Sequence, residues 1–265
     1  MEKPTPERLN KDETLMHEWK NVTELEKNVF NHCADYFENG LGSTASKLEN
    51  FPKYVRRQSL SKFLSRVDIF RKILDVHGSV IDGGINAGCS LMTFAQISAI
   101  FEPVNYTRRI IGFDIFTGIP ELHEKDISSG KSSPHVRKGG FNAEGYDKDL
   151  LQAIEIFDSN RNLGHIPKVE IVKGDVKETM PEYVRKNPHL VVSLLHLDMD
   201  VYEATKVAIE TFVPRMSNGA IIIFDELNQP GYPGETLAVL ETLGIRNIRI
   251  QRCTYETGIS YAVLE

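Results

Sequence analysis

The sequence predicts an α/β protein built on a doubly wound, mostly parallel sheet, a Rossmann-like arrangement with an antiparallel C-terminal edge and extra N-terminal helices. Three observations predict it. Five short β-branched runs, at 79–85, 109–115, 168–172, 190–197 and 220–224, alternate with helical stretches. They are almost continuously apolar, as strands covered on both faces are. Several also stop abruptly at an acid: Asp82, Asp114, Asp198 and Asp225. In an open α/β sheet that is the end where ligands bind.

The elements follow in order. Residues 1–55 are polar, with apolar positions at helical spacing around Trp19, Val22, Leu25, Val29 and Phe30, and read as a helical extension able to pair subunits. Gly40 to Ser46 reads as a break. From 59 to 76, Leu60, Phe63, Leu64, Val67, Phe70, Ile73 and Leu74 recur at three and four, an amphipathic helix. The main domain is expected over 56–265. Between its second and third strands lie about fifty residues, where a loop of 2–6 plus a helix is usual. The helix fits 144–157. The polar, Gly- and Ser-rich stretch before it, within about 117–145, reads either as a mobile lid over an acceptor or as a disordered insertion. The tail, R-N-I-R-I-Q-R-C-T-Y-E-T-G-I-S-Y-A-V-L, reads as two short edge strands joined near Thr257-Gly258.

Composition excludes several classes. A net charge of −6 and a pI near 5.8 argue against nucleic acid as a partner. Cys33, Cys89 and Cys253 form no C-x-x-C pair, which fits a reducing, cytoplasmic setting without a disulfide framework. The opening M-E-K-P-T-P-E-R has no apolar h-region, and no apolar run nears the ~20 residues that span a bilayer, so no membrane partner is expected.

Three strand ends describe a nucleoside pocket. D-G-G-I-N-A-G-C-S (82–90) is a glycine-rich turn into a helix, which lets a ligand approach the backbone. Asp114 is placed to accept both hydroxyls of a ribose. Asp175, in K-G-D-V-K-E-T-M-P, either takes an adenine amino proton or caps the next helix with Glu178 as its capping-box partner. With no Walker lysine motif, the pocket suits an adenosine without polyphosphate. The other two strand ends, L-H-L-D-M-D-V-Y-E and I-I-I-F-D-E, bring Asp198, Asp200, Asp225 and Glu226 to the same side. Oxygen donors of that kind hold a hard cation such as Mg²⁺. Each acid read alone is equally a helix cap or a wet loop residue.

Together with R-I-I-G-F-D-I-F-T-G-I-P and L-H-L-D-M-D-V-Y-E-A-T-K, these segments resemble the class I S-adenosylmethionine-dependent methyltransferases. More narrowly, they resemble the macrocin O-methyltransferase family, which methylates sugar hydroxyls on macrolides and related antibiotics. The likeness covers roughly 55–243. It implies S-adenosyl-L-methionine held by Asp82 and the Gly84 backbone at the methionine end, within a turn that closes on Ser90. It further implies Asp114 at the ribose, Asp175 with Val176 at the adenine, and Ser59 in a segment covering the methionine carboxylate. Asp198, Asp225 and Glu226 match the family's three Mg²⁺ ligands. Asp82 stands where glutamate is commoner, and Glu226 where aspartate or asparagine is usual.

The implied chemistry is methyl transfer to a sugar hydroxyl of a glycosylated natural product or nucleotide sugar. Asp198 would act as ligand and base, or a lid histidine, His123 or His135, would take the proton. Asp200, with Glu203 three residues on, reads as the cap of the following helix, and His196 as a core histidine. A non-sugar acceptor, or a catalytically inactive protein that only binds the cofactor, are the competing readings.

Overall fold

The computed structural model describes residues 23–265. Trp19 and Val22 fall outside that range. The first described helix is α1 (Glu24–Asn39). The break expected over 40–46 is shorter, because α2 (Thr44–Glu49) already starts where the Ser43 hydroxyl accepts from Ser46 N at 3.2 Å. Next comes α3 (Arg57–Phe70), continued by a 3₁₀ turn at Arg71–Ile73. The chain divides into two compact units, Met1–Leu64 and Ser65–Glu265. In the first, Tyr36 stacks on Tyr54 at 5.1 Å and Phe37 meets the same ring edge-on.

The second unit carries a seven-stranded sheet in the order β3-β2-β1-β4-β5-β7-β6. Its parallel strands are β1 (Ser79–Gly83), β2 (Ile110–Asp114), β3 (Val169–Lys173), β4 (Val192–Leu197) and β5 (Met216–Phe224). The tail forms β6 (Ile250–Arg252) and β7 (Ser260–Val263), antiparallel to each other, with β7 also antiparallel to β5. The predicted fold class stands. β5 begins four residues early because Met216 already pairs with Val192 ahead of an irregularity in the register.

Helices cover both faces, as continuous apolar strands require. These are α4 (Cys89–Phe101), α5 (Tyr146–Ser159), α6 (Val176–Lys186), α7 (Tyr202–Phe212) and α8 (Pro233–Thr242). Alternate strand residues feed two cores. Val80, Ile110, Leu194 and Ile221 pack with Phe70, Phe94 and Phe157 on one face. Ile81, Ile111, Leu195 and Ile222 pack with Met180, Phe212 and Val239 on the other. Neighbouring strands part in opposite directions at β1 and β4, and their carboxyl ends open the crevice where ligands bind in such sheets.

One cation staples the opposite end of the sheet. Arg108 is 3 % exposed; its Nη1 donates to Gly78 O at 2.9 Å and to the Ser193 hydroxyl, and its Nη2 to Ile73 O and Val76 O at 2.9 Å. Nε lies 2.7 Å from Glu102 Oε1. Removing the guanidinium strands several buried carbonyls and a carboxylate, so Arg108→Ala should cost about 3–5 kcal/mol. Urea unfolding of the two proteins measures this directly; a loss below about 1 kcal/mol would refute it.

Candidate functional site

The two switch-point strands touch through their backbones. Asp198 N donates to Gly83 O at 3.0 Å. Gly84 has φ +85, and a Cβ there would sit 1.8 Å from Asp198 O. Glycine at 84 is therefore required twice, by its left-handed backbone and by the approach of the β4 carbonyl. The turn then passes Gly88 (φ +87), which begins α4 without any side-chain cap. Ser90, the second residue of α4, is 3 % exposed.

Asp114 anchors this turn. Its Oδ2 accepts from Asn86 N at 2.7 Å and its Oδ1 from Phe116 N at 2.6 Å. Burial pushes its carboxyl above the usual range, and the two backbone bonds pull it back. Each oxygen keeps a lone pair for a further donor. Asp175 caps α6, accepting from Lys177 N at 2.9 Å. Of the two readings of Asp175, the cap is the one the hydrogen bonds display. Val176 is buried as the first residue of that helix. Ser59 lies on α3 within the first unit.

Asp114→Ala should weaken binding of S-adenosylhomocysteine about ten-fold or more, since each charge-assisted hydrogen bond is worth ~1.5–3 kcal/mol. Calorimetry checks it: an unchanged affinity in a folded variant would place the nucleoside elsewhere.

The carboxylates converge as two overlapping groups. Asp198, Asp200 and Glu226 offer oxygens that all lie within 4.8 Å of one another, and Asp198 and Asp225 do the same with His196. The expected trio of Asp198, Asp225 and Glu226 is thus divided between two groups that share Asp198. Glu235, fully buried on α8, joins them by accepting Glu226 N at 3.0 Å. Burial, then Asp200 and Asp225, hold the Glu226 carboxyl well above the usual carboxylate range. Burial, then Asp225, do the same to Glu235. Asp198, Asp200 and Glu226 are the acids that could hold a hard cation with oxygen donors.

His196 is buried, as a core histidine should be, but not in apolar company. It pairs in register with Asp82, and its Nδ1 lies 2.6 Å from Asp82 Oδ1. Its Nε2 stands 3.6 Å from Asp225 Oδ1, an ion-pair distance rather than a hydrogen bond. Burial opposes its charge, but the two carboxylates outweigh it and push the imidazole up to about 10. His196 therefore links the acids at the ends of β1 and β5, Asp82 and Asp225.

Asp200 does not cap α7. The N-cap position is Val201, Asp200 has φ +65, and Tyr202 N donates 2.7 Å to Asp126 Oδ1 instead. The cap comes from 76 residues upstream, beyond the reach of any local motif, and Asp200 is left to the carboxylate cluster. Asp126 also accepts His123 N at 2.8 Å and is 1 % exposed. Other points of the 117–145 segment make contacts too. Ser133 N donates to Gly231 O at 3.0 Å, Tyr232 OH to the Ser133 hydroxyl at 2.8 Å, and His135 packs at 5.0 Å on the Phe141 ring. His123 lies 4.8 Å from the Tyr202 ring, its Nδ1 accepting from Lys125 N. Among the described residues, the histidine grouped with the carboxylates is His196, not His123 or His135.

A family model described as a methyltransferase domain matches residues 81–227. The chain belongs to that family. It is a class I S-adenosylmethionine-dependent methyltransferase. A crystal structure of a calicheamicin methyltransferase is 31% identical, with 91% of this chain and 93% of that one covered and a TM-score of 0.87. An apo structure of a TDP-rhamnose 3′-O-methyltransferase of calicheamicin biosynthesis is 29% identical over 91% and 95% of the two chains, TM-score 0.79. The O-methyltransferase NovP, 20% identical over 77% and 79% with a TM-score of 0.59, shares the fold. No curated protein sequence matches the chain. Among the described residues, no helix of this methyltransferase is long and apolar enough to cross a membrane.

Proposed function

We propose that this methyltransferase is a Mg²⁺-dependent, cytoplasmic O-methyltransferase whose acceptor is a sugar hydroxyl, on a nucleotide sugar or a glycosylated natural product. The observation that carries the acceptor class is the 31% identity over nine-tenths of both chains to a calicheamicin methyltransferase, alongside the TDP-rhamnose 3′-O-methyltransferase. What supports the cation is the carboxylate cluster at the same end of the sheet.

The residues present suit both groups. Asp114 and the Gly84 turn form a nucleoside cradle, and Asp198, Asp200 and Glu226, with Asp225 beside them, form an oxygen donor set whose excess negative charge calls for a cation. Bound there, a divalent ion would lower the pKa of an acceptor hydroxyl and fix its position. Asp198 shares the strand end with the glycine turn, so it stands between the donor and acceptor halves of the site. The methyl donor, when bound, would supply a sulfonium methyl group to the acceptor oxygen and leave as a thioether. The hydroxyl proton passes to a carboxylate, for which Asp198 is the candidate. Positioning of the two reactants accounts for much of the barrier reduction, up to ~7–11 kcal/mol in favourable cases.

Calorimetry with S-adenosylhomocysteine, followed by turnover on TDP-rhamnose with Mg²⁺ or with chelator, tests the reading. Nucleoside binding with metal-dependent methylation is the expected result. Turnover indifferent to chelator on a phenol or amine would assign a different acceptor class, and no nucleoside binding would make the chain a relic of the fold.

A further inference from the structure

Glu235 is out of keeping with its place in the fold. An acid in the first turn of a helix is ordinary and is favoured by the dipole. Such an acid is almost never fully buried, yet Glu235, the third residue of α8, is 0 % exposed. The start of α8 is pressed against the start of α7: a Cβ on Gly234 would fall 2.1 Å from Asp126 Oδ1 and 2.6 Å from Tyr202 N. The charges that Glu235 faces are of its own sign, the carboxylates of Asp225, Asp200 and Asp198.

Its two oxygens differ. Oε1 accepts from Glu226 N at 3.0 Å, and the hydroxyl of the next residue, Thr236, accepts from Asn228 N at 2.9 Å. Two adjacent side chains of α8 thus fix the backbone that carries Glu226 out of β5. Oε2, by contrast, has no hydrogen-bond partner. Anchoring the loop needs one acceptor. A second, orphaned oxygen buried among three acids is costly and needs an explanation of its own. Among the described residues, the groups of acids whose oxygens lie within 4.8 Å of one another do not include Glu235. It stands behind Asp198, Asp200 and Glu226 rather than among them.

We propose that Glu235 is a positioning residue of the cation site: Oε1 sets the backbone of Glu226, and Oε2 accepts a hydrogen bond from a water that the cation carries. This rests on the cation reading given above. Mg²⁺ keeps several of its waters when bound, and groups behind the direct ligands orient what the metal holds. A carboxylate in that position adds negative charge without occupying a coordination place. The assignment accounts for both oxygens of Glu235, where loop anchoring accounts for one.

The test is a calorimetric titration with Mg²⁺ in the presence of S-adenosylhomocysteine. Glu235→Gln keeps a carbonyl oxygen for Glu226 N but puts an amide donor where Oε2 was. It should bind Mg²⁺ about ten-fold or more weakly, the usual effect of losing a partner behind the metal ligands, with S-adenosylhomocysteine affinity within about two-fold. In chelator it should unfold no earlier than the unmodified protein, because a crowded buried carboxylate has gone. A role confined to anchoring the loop would leave the Mg²⁺ affinity of this variant unchanged, and a general loosening of the site would weaken both ligands alike; either overturns the proposal. Should Glu235→Gln fail to fold by circular dichroism, Glu235→Asp decides: its shorter carboxylate must lose about ten-fold on Mg²⁺ alone, and an unchanged affinity overturns the proposal. An unmodified protein that binds S-adenosylhomocysteine but no Mg²⁺ would remove the cation reading and this proposal with it, a failure distinct from a normal Mg²⁺ affinity that ignores Glu235.

Discussion

Asp198→Asn should reduce turnover at least about a hundred-fold, since it removes a metal-ligand charge and the candidate base together. S-Adenosylhomocysteine affinity should stay within a few-fold, because the cation is assigned to the acceptor half of the site. Chelation of the unmodified enzyme should reproduce that pattern. Asp225→Asn should be partly rescued by raised Mg²⁺, since an amide carbonyl still coordinates it. Asp200→Asn should also raise the Mg²⁺ requirement, as its place among Asp198 and Glu226 indicates. Initial rates against Mg²⁺ concentration separate these variants. Full activity of Asp198→Asn in chelator would end the metal mechanism.

Gly84→Ala should be nearly as damaging, for a different reason. The new methyl would fall 1.8 Å from Asp198 O and 2.6 Å from Asp198 C, on a residue with φ +85. One backbone must move, and both follow directly on the central strands of the sheet. A loss of about 3 kcal/mol or more in stability is expected, the range of strained or overpacked core substitutions. Cofactor affinity and metal affinity should fall together, since the clash lies where the two half-sites meet. Thermal unfolding and two titrations check this. A variant as stable as the parent would show that the strand ends are less tightly joined than their geometry indicates.

Much of this architecture was legible in the residues. Strands buried on both faces must be almost purely apolar, so the five parallel runs stood out, and acids at their ends marked the crevice. Asp175 offered a cap or an adenine contact, and its bond to Lys177 N displays the local alternative. What escaped was non-local. The i, i+3 spacing after Asp200 resembled a capping box, but the cap arrives from Asp126, across a loop that no periodicity can fold. His196 was legible as buried, yet its two carboxylates sit on neighbouring strands. Arg66, buried on α3, had a faint signal: Ile69, Phe70 and Ile73 follow it at three, four and seven, so the buried stripe of the helix runs through a cation. Phe63 and Leu64, expected on that stripe, are 39 % and 45 % exposed. Glu235 carried no signal, since a lone acid in the first turn of a helix is ordinary.

The bond between Asp126 and Tyr202 N couples any displacement of the 117–145 segment to the fraying of α7. Lifting the loop leaves the first turn of the helix without its terminator, a change worth ~0.5–2 kcal/mol by the usual cost of a lost cap, and that helix springs from the end of the strand bearing Asp198. Amide exchange at 202–205 should therefore act as a gauge of how often the 117–145 segment lifts from the start of α7.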